Sequence, residues 1–345
     1  MTDGIMIREF AAGELNDANL KELHRLRVAI DLEDLPDDTP VHFDEMVAEL
    51  AGKDVGSRNR RWIAWQGSAA VGYGSLNLDL QDNLHLGWSW VCVDPGFRRR
   101  GVATSMLRVI AAALQSEQRT SLGLDFRHGS EGAIVAPRFG FEEKSVEHHN
   151  RTTVGKIDAA MIDSWVARST ERATGYELRF WESPTLTADL GEYARVFNVM
   201  NTAPRDELDM EDRHMTSELM HDREAQLPIR GVQKWVMAAV APDGSFSGFS
   251  EIFFSNWRDD VCYQGNTGVD PAHRNLGLGR WLKAAMFLQL RERRPAVTKI
   301  DTWNAGSNEP MLAINHAMGF APINVWANAQ ADLAVVRSQL ERRNS

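Results

Sequence analysis

The chain repeats itself once, and this repeat constrains its fold more than any other feature of the sequence. Val93-Asp94-Pro95 returns 176 residues later as Val269-Asp270-Pro271. Three further matches keep the same order, with offsets from 173 to 179 residues: Arg61-Trp62-Ile63 with Lys234-Trp235-Val236, Gly72-Tyr73 with Gly248-Phe249, and Gly140-Phe141 with Gly319-Phe320. A repeat of this length predicts two tandem domains rather than a solenoid of short units.

The length of 345 residues gives each of the two domains enough chain for a core of its own. A polar stretch from Ser169 to Gly175 predicts the boundary. We therefore expect one domain at residues 1–170 and a second at residues 171–345. Within one chain the two would pack as a pseudo-dimer, and the oligomeric state of the chain stays open.

Composition excludes several functional classes. A formal net charge of −10 argues against a general nucleic-acid binder, whose binding surface would be basic. The sequence has no apolar run near the ~18 residues that a membrane span needs, and no leader-like N-terminus. Cys92 and Cys262 are the only cysteines, too few for a disulfide framework or a zinc ribbon. We expect a cytoplasmic protein without a bound metal.

Each half is predicted to be an α/β (α+β) domain with a mixed, mostly antiparallel sheet flanked by helices. In the first half the predicted elements are strands at Met6–Phe10, Arg61–Trp65, Gly72–Leu80, Leu84–Val93, Ser121–Phe126 and from Phe141, and helices at Asn16–Leu32, Phe43–Leu50, Gly101–Leu114 and ending near Phe139. In the second half they are strands at Tyr176–Trp181, Lys234–Val240, Gly248–Phe254, Val261–Val269 and Thr298–Thr302, and helices at Leu278–Arg291 and from Pro310.

A glycine turn follows each Val-Asp-Pro and opens a predicted helix. Glycine allows a positive φ and a close approach of the backbone to a ligand, and the free N–H groups of a helix start attract anions. Alone, such a turn is also compatible with a simple connection beside an exposed basic cluster. Two copies favour a pyrophosphate cradle, with these candidate residues: Arg98, Arg99, Arg100, Gly101, Val102, Ala103 and Thr104 in the first copy, and Arg274, Asn275, Leu276, Gly277, Leu278, Gly279 and Arg280 in the second.

These turns and the distal Gly-Phe pairs resemble the acyl-CoA motif of the GCN5-related N-acetyltransferases (GNAT), and two copies resemble a tandem-domain member of actinobacterial type. The resemblance implies that the fourth and fifth strands of each domain splay apart around acetyl-CoA. Backbone groups near Val91, Val93, Thr267 and Val269 would then pair with its pantetheine arm. In the second copy the motif further implies three cofactor-binding amides: Asn304, Asn308 and Asn315.

The two copies differ where chemistry is expected. Glu251 in the second copy aligns with Ser75 in the first, and Asn304 and Asn308 align with a stretch that contains no asparagine, Arg127-His128-Gly129-Ser130. The sequence therefore predicts catalysis in the C-terminal domain. The N-terminal domain is then either a degenerate scaffold or a second acyl-CoA site.

Glu251 is the first candidate for the general base, because an acceptor amine must lose a proton during transfer. An outward-facing glutamate in a surface ion pair is the structural alternative. The resemblance also implies a tyrosine acid four residues before the Gly-Phe glycine, but Ala136 and Asn315 occupy these places. Tyr263 is a candidate substitute, and a core tyrosine is the alternative.

The acceptor side is less defined by the sequence. Two acidic segments precede the central strands of the two copies and would attract a cationic amine, although a solvated loop would look the same. These segments contain Asp31, Glu33, Asp34, Asp37 and Asp38, and Asp206, Glu207, Asp209, Glu211 and Asp212. We expect acetyl transfer to a primary amine of a small molecule by direct attack in a ternary complex. The alternatives are a non-catalytic acyl-CoA-binding or sensing protein, and transfer of a longer acyl chain or an aminoacyl group.

Overall fold

Two structural units divide the chain, and neither is a contiguous half of it. The computed structural model describes residues 4–11 and 13–343. The first unit comprises the chain up to residue 146, residues 206–212 and the chain from residue 324 onward. The second unit comprises residues 147–205 and 213–323. In the described part of the chain, no helix is both long enough and apolar enough to span a membrane.

The repeat is visible in the order of elements. The first half contains β1 (Ile5–Phe10), α1 (Asp17–Asp34), α2 (Phe43–Ala51), β2 (Ser57–Gln66), β3 (Ala69–Asp79), β4 (Leu86–Val93), α3 (Val102–Ser116), β5 (Ser121–Arg127), α4 (Glu131–Val135), β6 (Glu142–Thr153) and α5 (Ala159–Arg172). The second half contains β7 (Glu177–Glu182), α6 (Thr187–Phe197), α7 (Ser217–Gln226), β8 (Val232–Val240), β9 (Phe246–Ser255), β10 (Arg258–Val269), α8 (Leu278–Arg293), β11 (Lys299–Ala305), α9 (Glu309–Ala317), β12 (Ala321–Asp332) and α10 (Leu333–Arg342).

Each unit has the same strand order, built with one strand from the other repeat. The order is β1-β2-β3-β4-β5-β12 in the first unit and β7-β8-β9-β10-β11-β6 in the second. Residues 326–332 of β12 pair antiparallel with β5, and residues 147–153 of β6 pair antiparallel with β11. The two repeats therefore exchange their last strands, and the predicted mixed, mostly antiparallel sheet is confirmed in both units.

Helices cover both faces of each sheet. In the first unit, α3 and α10 pack on one face through Ile110 and Val336, and α1 and α2 pack on the other through Leu26 and Met46. In the second unit, α5 and α8 cover one face, and α6 and α7 cover the other. Each helix thus buries its apolar face against strands, which is the two-sided arrangement that a buried central sheet requires.

The structural division differs from the predicted boundary between residues 170 and 171. The polar stretch that suggested a linker lies largely within α5, which ends only at Arg172. Ile162, Trp165 and Ser169 are buried on one face of this helix, which packs against α8 in the second unit. Their spacing is helical, but the polar residues between them hid the apolar face from the sequence analysis.

Trp62 and Trp235 match in the sequence repeat and are both buried, but the match is wrong for strand register. Both indoles are buried in the core on the α3 or α8 face of their sheet. Trp62 lies opposite Gly74, whereas Trp235 lies opposite Ile252. Met237, two residues further along β8, therefore occupies the position of Trp62. A shift of two residues keeps the side chain on the same face, so the sequence pattern could not show it.

The parallel strand pair in each unit stays together only at one end. Strands β4 and β5 pair from Leu86–Ser121 to Ser89–Leu124. Strands β10 and β11 pair only from Val261–Lys299 to Tyr263–Asp301. Beyond these residues the two strands of each pair are no longer hydrogen-bonded to each other and leave a cleft, as the resemblance to the acetyltransferases implies.

The strand exchange between the two repeats predicts which unit is weakened by a core substitution in the last helix of each repeat. Leu340 of α10 is buried in the first unit and Ile162 of α5 in the second. Truncation of either side chain should cost about 2–5 kcal/mol. Leu340→Ala should accelerate hydrogen exchange in β5 and leave β11 protected, and the control Ile162→Ala should do the reverse. Faster hydrogen exchange in β11 alone after Leu340→Ala would contradict the strand exchange between the two repeats.

Candidate active site

The two predicted cradles have the same backbone geometry. Helices α3 and α8 begin after Gly101 and Gly277, whose φ angles of 80° and 85° lie in the left-handed region. No side chain in the described structure caps either helix start. The first helical bonds reach these glycines from Ser105 and Trp281. The intervening N–H groups therefore point out of the helix end, where an anion can accept them.

The residue two places before each glycine adopts the same unusual conformation. Arg99 and Asn275 have φ angles of 63° and 67°. Successive turns of this kind aim consecutive N–H groups into one concavity. A Cβ at Gly277 would lie 3.2 Å from Ser169 Oγ in a left-handed conformation that L side chains rarely adopt. The turn thus depends on glycine, which fits the predicted phosphate cradle.

The first arginine of each motif folds back and hydrogen-bonds the preceding strand rather than extending away from the turn. Arg98 Nε donates to Val93 O at 3.2 Å, and Arg274 Nε donates to Val269 O at 3.1 Å. The guanidinium of Arg98 also forms a two-pronged ion pair with Glu33. Arg274 instead donates to Thr202 Oγ1 at 2.7 Å, so its charge is not matched by a carboxylate there.

A cavity of about 800 Å³ lies at the cradle of the first unit, and one of about 650 Å³ lies at that of the second. Predicted residues that line the first cavity are Val91, Val93, Arg98, Arg99, Gly101, Val102, Ala103 and Thr104. Those that line the second are Thr267, Val269, Arg274, Asn275, Gly277, Leu278, Gly279, Arg280 and Asn308. Both cavities are large enough for much of a drug-sized ligand.

The charges of the two cavities differ sharply. The first is lined by four arginines and four carboxylates: Arg98, Arg99, Arg127 and Arg138, with Glu33, Asp34, Asp125 and Glu131. Three of these arginines form ion pairs within the unit: Arg98 with Glu33, Arg99 with Glu131 and Arg127 with Asp34. The described lining of the second contains Arg172, Arg274 and Arg280 but no carboxylate. An anion is therefore attracted more strongly by the second cavity.

Four predicted cofactor residues do not line either of these two cavities. Arg100 lies over the ring of Phe97, 5.1 Å from its centroid, and Leu276 packs against the core of the second unit. Asn304 lies on β11 beyond its pairing with β10. Asn315 is completely buried, so it is not exposed to a ligand as the resemblance implies.

Asn315 instead links two other side chains. Its Nδ2 donates to Asn304 Oδ1 at 2.6 Å, and its Oδ1 accepts from Lys283 Nζ at 2.6 Å. Lys283 is buried on α8, and burial lowers its pKa from 10.5 to about 7. Asn315 is therefore placed to orient the amide of Asn304.

A β-bulge distinguishes the second cleft from the first. In the second unit, Gln264 lies opposite Ile252 and Thr267 opposite Ser250, so Gly265 and Asn266 form the bulge opposite Glu251. The corresponding stretch of β3 and β4 keeps a regular register. A bulge releases backbone groups from the strand ladder and is common beside active sites. Here it lies where β10 begins to separate from β11.

Glu251 is buried beside the bulge, not in a surface ion pair. Its side chain accepts a hydrogen bond from the Tyr193 hydroxyl and one of 3.1 Å from Asn266 Nδ2. Lys234 Nζ lies 3.5 Å from its Oε1. The surface alternative for this residue is therefore wrong, and its place beside the bulge is compatible with the predicted catalytic role.

Tyr263 lies on the same sheet face as Glu251 but forms a different contact set. Its ring stacks against Trp303 with the centroids 6.2 Å apart, and its hydroxyl accepts from Arg258 at 3.4 Å. Trp303 stacks in turn on His149 at 4.0 Å. Tyr263 is only partly buried, so the structure leaves both its predicted acid role and its core alternative as predictions.

The acidic segments are largely used within the protein. Asp206 accepts from Ser145 Oγ, and Glu211 forms two bonds with the backbone and side chain of Asn83, all within the first unit. In the other segment, Glu33 pairs with Arg98 and Asp34 with Arg127. The prediction that these carboxylates attract an amine is therefore not supported for the residues that are paired in this way.

Sequence reasoning missed the buried partners of Glu251. Tyr193 on α6 and Lys234 on β8 contact Glu251 directly, and Glu224 on α7 contacts Lys234. A signal was present, because Lys234 and Glu251 are each the only charged residue in a largely apolar strand. A charge within a buried strand usually has a partner.

The cysteines fit a mechanism without a covalent acyl-enzyme. Burial raises the pKa of the Cys92 thiol to about 11 and raises that of Cys262 further. Thiols of this kind are poor nucleophiles near neutral pH. Within the described residues, no three His, Cys, Asp or Glu side chains are grouped to hold a metal ion.

The buried lysine gives a pH-dependent prediction. A lysine whose pKa is lower in the folded than in the unfolded chain destabilises the folded state. This destabilisation is complete below pH ~7 and is absent above pH ~10.5. We therefore compare the free energy of unfolding of Lys283→Met with that of the unsubstituted protein at each pH. The difference should favour the variant more at pH 6 than at pH 10, by several kcal/mol. Urea unfolding at both pH values measures this, with Lys299→Met on β11 as the control. An equal stability difference at the two pH values would contradict the prediction.

Comparisons with known proteins agree with this architecture. Residues 24–141 match the model of the acetyltransferase (GNAT) family, so the match lies in the N-terminal copy and not in the copy that the motifs favoured. No curated protein sequence matches the chain significantly.

Solved structures extend the likeness to the whole chain. A tandem GNAT protein from the clavulanic acid biosynthesis pathway is similar with a TM-score of 0.78 and 21% identity, over 95% of this chain and 98% of that one. A GCN5-related N-acetyltransferase from Sphaerobacter thermophilus has a TM-score of 0.67 and 16% identity, over 96% of both chains. The N-terminal copy thus belongs to the acetyltransferase (GNAT) family, and the whole chain has the fold of a tandem GNAT protein.

Proposed function

We propose that the chain transfers an acetyl group from acetyl-CoA to a primary amine of a small molecule, and that the second unit performs the reaction. One observation carries this proposal. Only the second of the two clefts combines an uncapped glycine-turn helix, a described lining free of carboxylates and a β-bulge beside a buried glutamate.

The cradle of the second unit would hold the pyrophosphate of acetyl-CoA. Backbone N–H groups at Leu278, Gly279 and Arg280 supply donors, and Arg172 and Arg280 add positive charge at the cavity wall. Because the arginines of the first cavity are balanced by its carboxylates, the same backbone cradle attracts an anion less strongly there. The first unit then serves mainly as a scaffold.

The bulge supports chemistry at the start of the cleft. Acetyl-CoA, when bound, supplies the acetyl group as a thioester that an amine can attack. Backbone groups released at Gly265 and Asn266 are then available to polarise a carbonyl, as donors in a preorganised site do. Thr302 Oγ1 donates to Gln264 O at 3.1 Å and fixes the strands where they separate.

Glu251 would take the proton that the amine loses. Asn266 connects this carboxylate to the bulge through a 3.1 Å hydrogen bond. Position and chemistry thus favour Glu251 over Tyr263 as the catalytic residue. The thiol of the leaving group has a pKa near 8.5, so it can leave as a thiolate without first being protonated. The absence of the motif tyrosine from both copies is therefore compatible with transfer.

A non-catalytic acyl-CoA-binding protein is the second candidate. The observation that favours it is the presence of Ala136 and Asn315 where the resemblance implies a tyrosine acid. Asn315 is moreover buried and bonded to Asn304 and Lys283. Binding alone cannot separate this candidate from a transferase, whereas CoA release in the presence of an amine can.

Paired glycine substitutions test where acetyl-CoA binds. Gly277→Asp places a carboxylate in the second cradle and should weaken acetyl-CoA binding at least ~100-fold in a calorimetric titration, because the charge repels phosphate and the left-handed turn is strained. The matched variant Gly101→Asp should bind nearly as the unsubstituted protein does. If Gly101→Asp alone abolishes binding, the site lies in the first unit and the proposal is wrong.

A turnover assay then separates transfer from binding. The unsubstituted protein should release CoA from acetyl-CoA with at least one member of a panel of primary amines. If acetyl-CoA binds but no amine of the panel gives CoA release, the binding-protein candidate replaces the transferase.

A further inference from the structure

A buried network of charged groups surrounds Glu251. Lys234 Nζ lies 2.6 Å from Glu224 Oε1, 3.2 Å from the Tyr193 hydroxyl oxygen and 3.5 Å from Glu251 Oε1. All four side chains are at least nine-tenths buried. The network lies under α6 and α7, on the same sheet face as the bulge.

Hydrogen bonding fixes the direction of the Tyr193 proton. An ammonium group can only donate, so the Tyr193 oxygen accepts from Lys234, and its own proton is directed to Glu251 Oε1. Burial and the two carboxylates raise the pKa of Tyr193 well above its ordinary value, which keeps the phenol protonated. Oε2 of Glu251 accepts only from the Asn266 amide among the contacts described, so it is the oxygen that has room for a further proton.

The network contains two carboxyl side chains but only one amino side chain, together with the protonated phenol of Tyr193. Glu224 is further bonded by the backbone N–H of Thr185 at 2.6 Å and its hydroxyl at 2.8 Å, which stabilise its charge. A buried excess charge is costly, so the group with a free acceptor position gains most from taking up a proton. That group is Glu251.

We propose that Lys234 and Glu224 are positioning residues that set, in opposite directions, the pH at which Glu251 accepts the proton of the acceptor amine. This inference rests on the proposed function of the second unit. The positive charge of Lys234 favours the Glu251 carboxylate, and the negative charge of Glu224 disfavours it. Tyr193 from α6 and Lys234 from β8 contact the Glu251 carboxylate, and β10 contributes the neutral Asn266. Glu224 from α7 contacts Lys234 and so lies one side chain further away.

The first unit has no carboxylate at the position of Glu251. Ser75 occupies this position and lies opposite Arg61, which pairs with Asp54 at 3.2 Å. The glutamate beside the cleft is therefore specific to the unit that has the bulge, rather than a property of the shared fold.

The direct test follows the Glu251 carboxyl by 13C NMR in protein with labelled glutamate side chains. Its resonance is the one that disappears in Glu251→Gln. In Lys234→Met the titration midpoint of Glu251 should rise by about one to three pH units, because a nearby opposite charge is lost. In Glu224→Gln it should fall by about one unit, and the double variant should titrate close to the unsubstituted protein.

Asp222→Asn is the matched control, because it removes the same charge from an exposed place on α7. It should leave the Glu251 titration unchanged. If Lys234→Met does not fold, the fall in Glu224→Gln still tests the proposal. Equal or same-direction shifts in the two folded variants would overturn it, since a merely structural role does not predict opposite signs.

The pH dependence of CoA release tests the catalytic part. With an amine that supports turnover, the acidic limb of kcat should move up in Lys234→Met and down in Glu224→Gln, in step with the NMR midpoints. If neither substitution shifts the acidic limb of the kcat profile, Glu251 does not accept the proton during transfer, and the proposal is overturned. If no amine releases CoA from the unsubstituted protein, the proposed function fails, and the NMR result shows separately whether the electrostatic coupling exists.

Discussion

Two parallel strand pairs stop pairing after a few residues, and the candidate sites depend on this interruption. A buried strand cannot leave its N–H and C=O groups unpaired without cost, so a gap in the ladder needs either water or a ligand. In the second unit β10 and β11 pair through only three residue pairs before the cleft opens. The glycine-turn helix then begins at the open end of the cleft, with its free N–H groups towards the same cavity.

The two copies show how one backbone can be given different chemistry by a few side chains. Both keep the left-handed glycine and the arginine that ties the turn to the fourth strand. The first copy places carboxylates beside its arginines, whereas the second leaves the described lining of its cavity cationic. The second copy also has the bulge and the buried glutamate. The shared fold therefore does not distinguish the two copies, whereas the electrostatics of each cleft do.

The sequence predicted the repeat, the strands along each repeat and the two glycine turns, because these depend on local signals. Glycine turns and alternating apolar residues act over a few positions, and the internal repeat confirmed each one by a second copy. It did not predict the exchange of β6 and β12. A strand that pairs within its own repeat and one that pairs with the other repeat have the same apolar pattern, so only the three-dimensional structure distinguishes them.

Only the part of the candidate site that depends on local sequence signals was predicted. Cradle residues follow each other in the chain, and most of them line the cavities. Asn315 matched a motif but is buried, because its role is set by Lys283, a residue more than thirty positions away. The partners of Glu251 come from three other elements, and no local pattern connects them. Contacts of this kind appear only when the chain is folded.

Amide hydrogen exchange with saturating acetyl-CoA tests the central claim most directly, since it reports both cradles in one unmodified protein. If the second unit holds the cofactor, the amides of Leu278, Gly279 and Arg280 should exchange more slowly, whereas those of Val102, Ala103 and Thr104 should not change. Protection confined to Val102, Ala103 and Thr104 would place the working cradle in the first unit and contradict the claim.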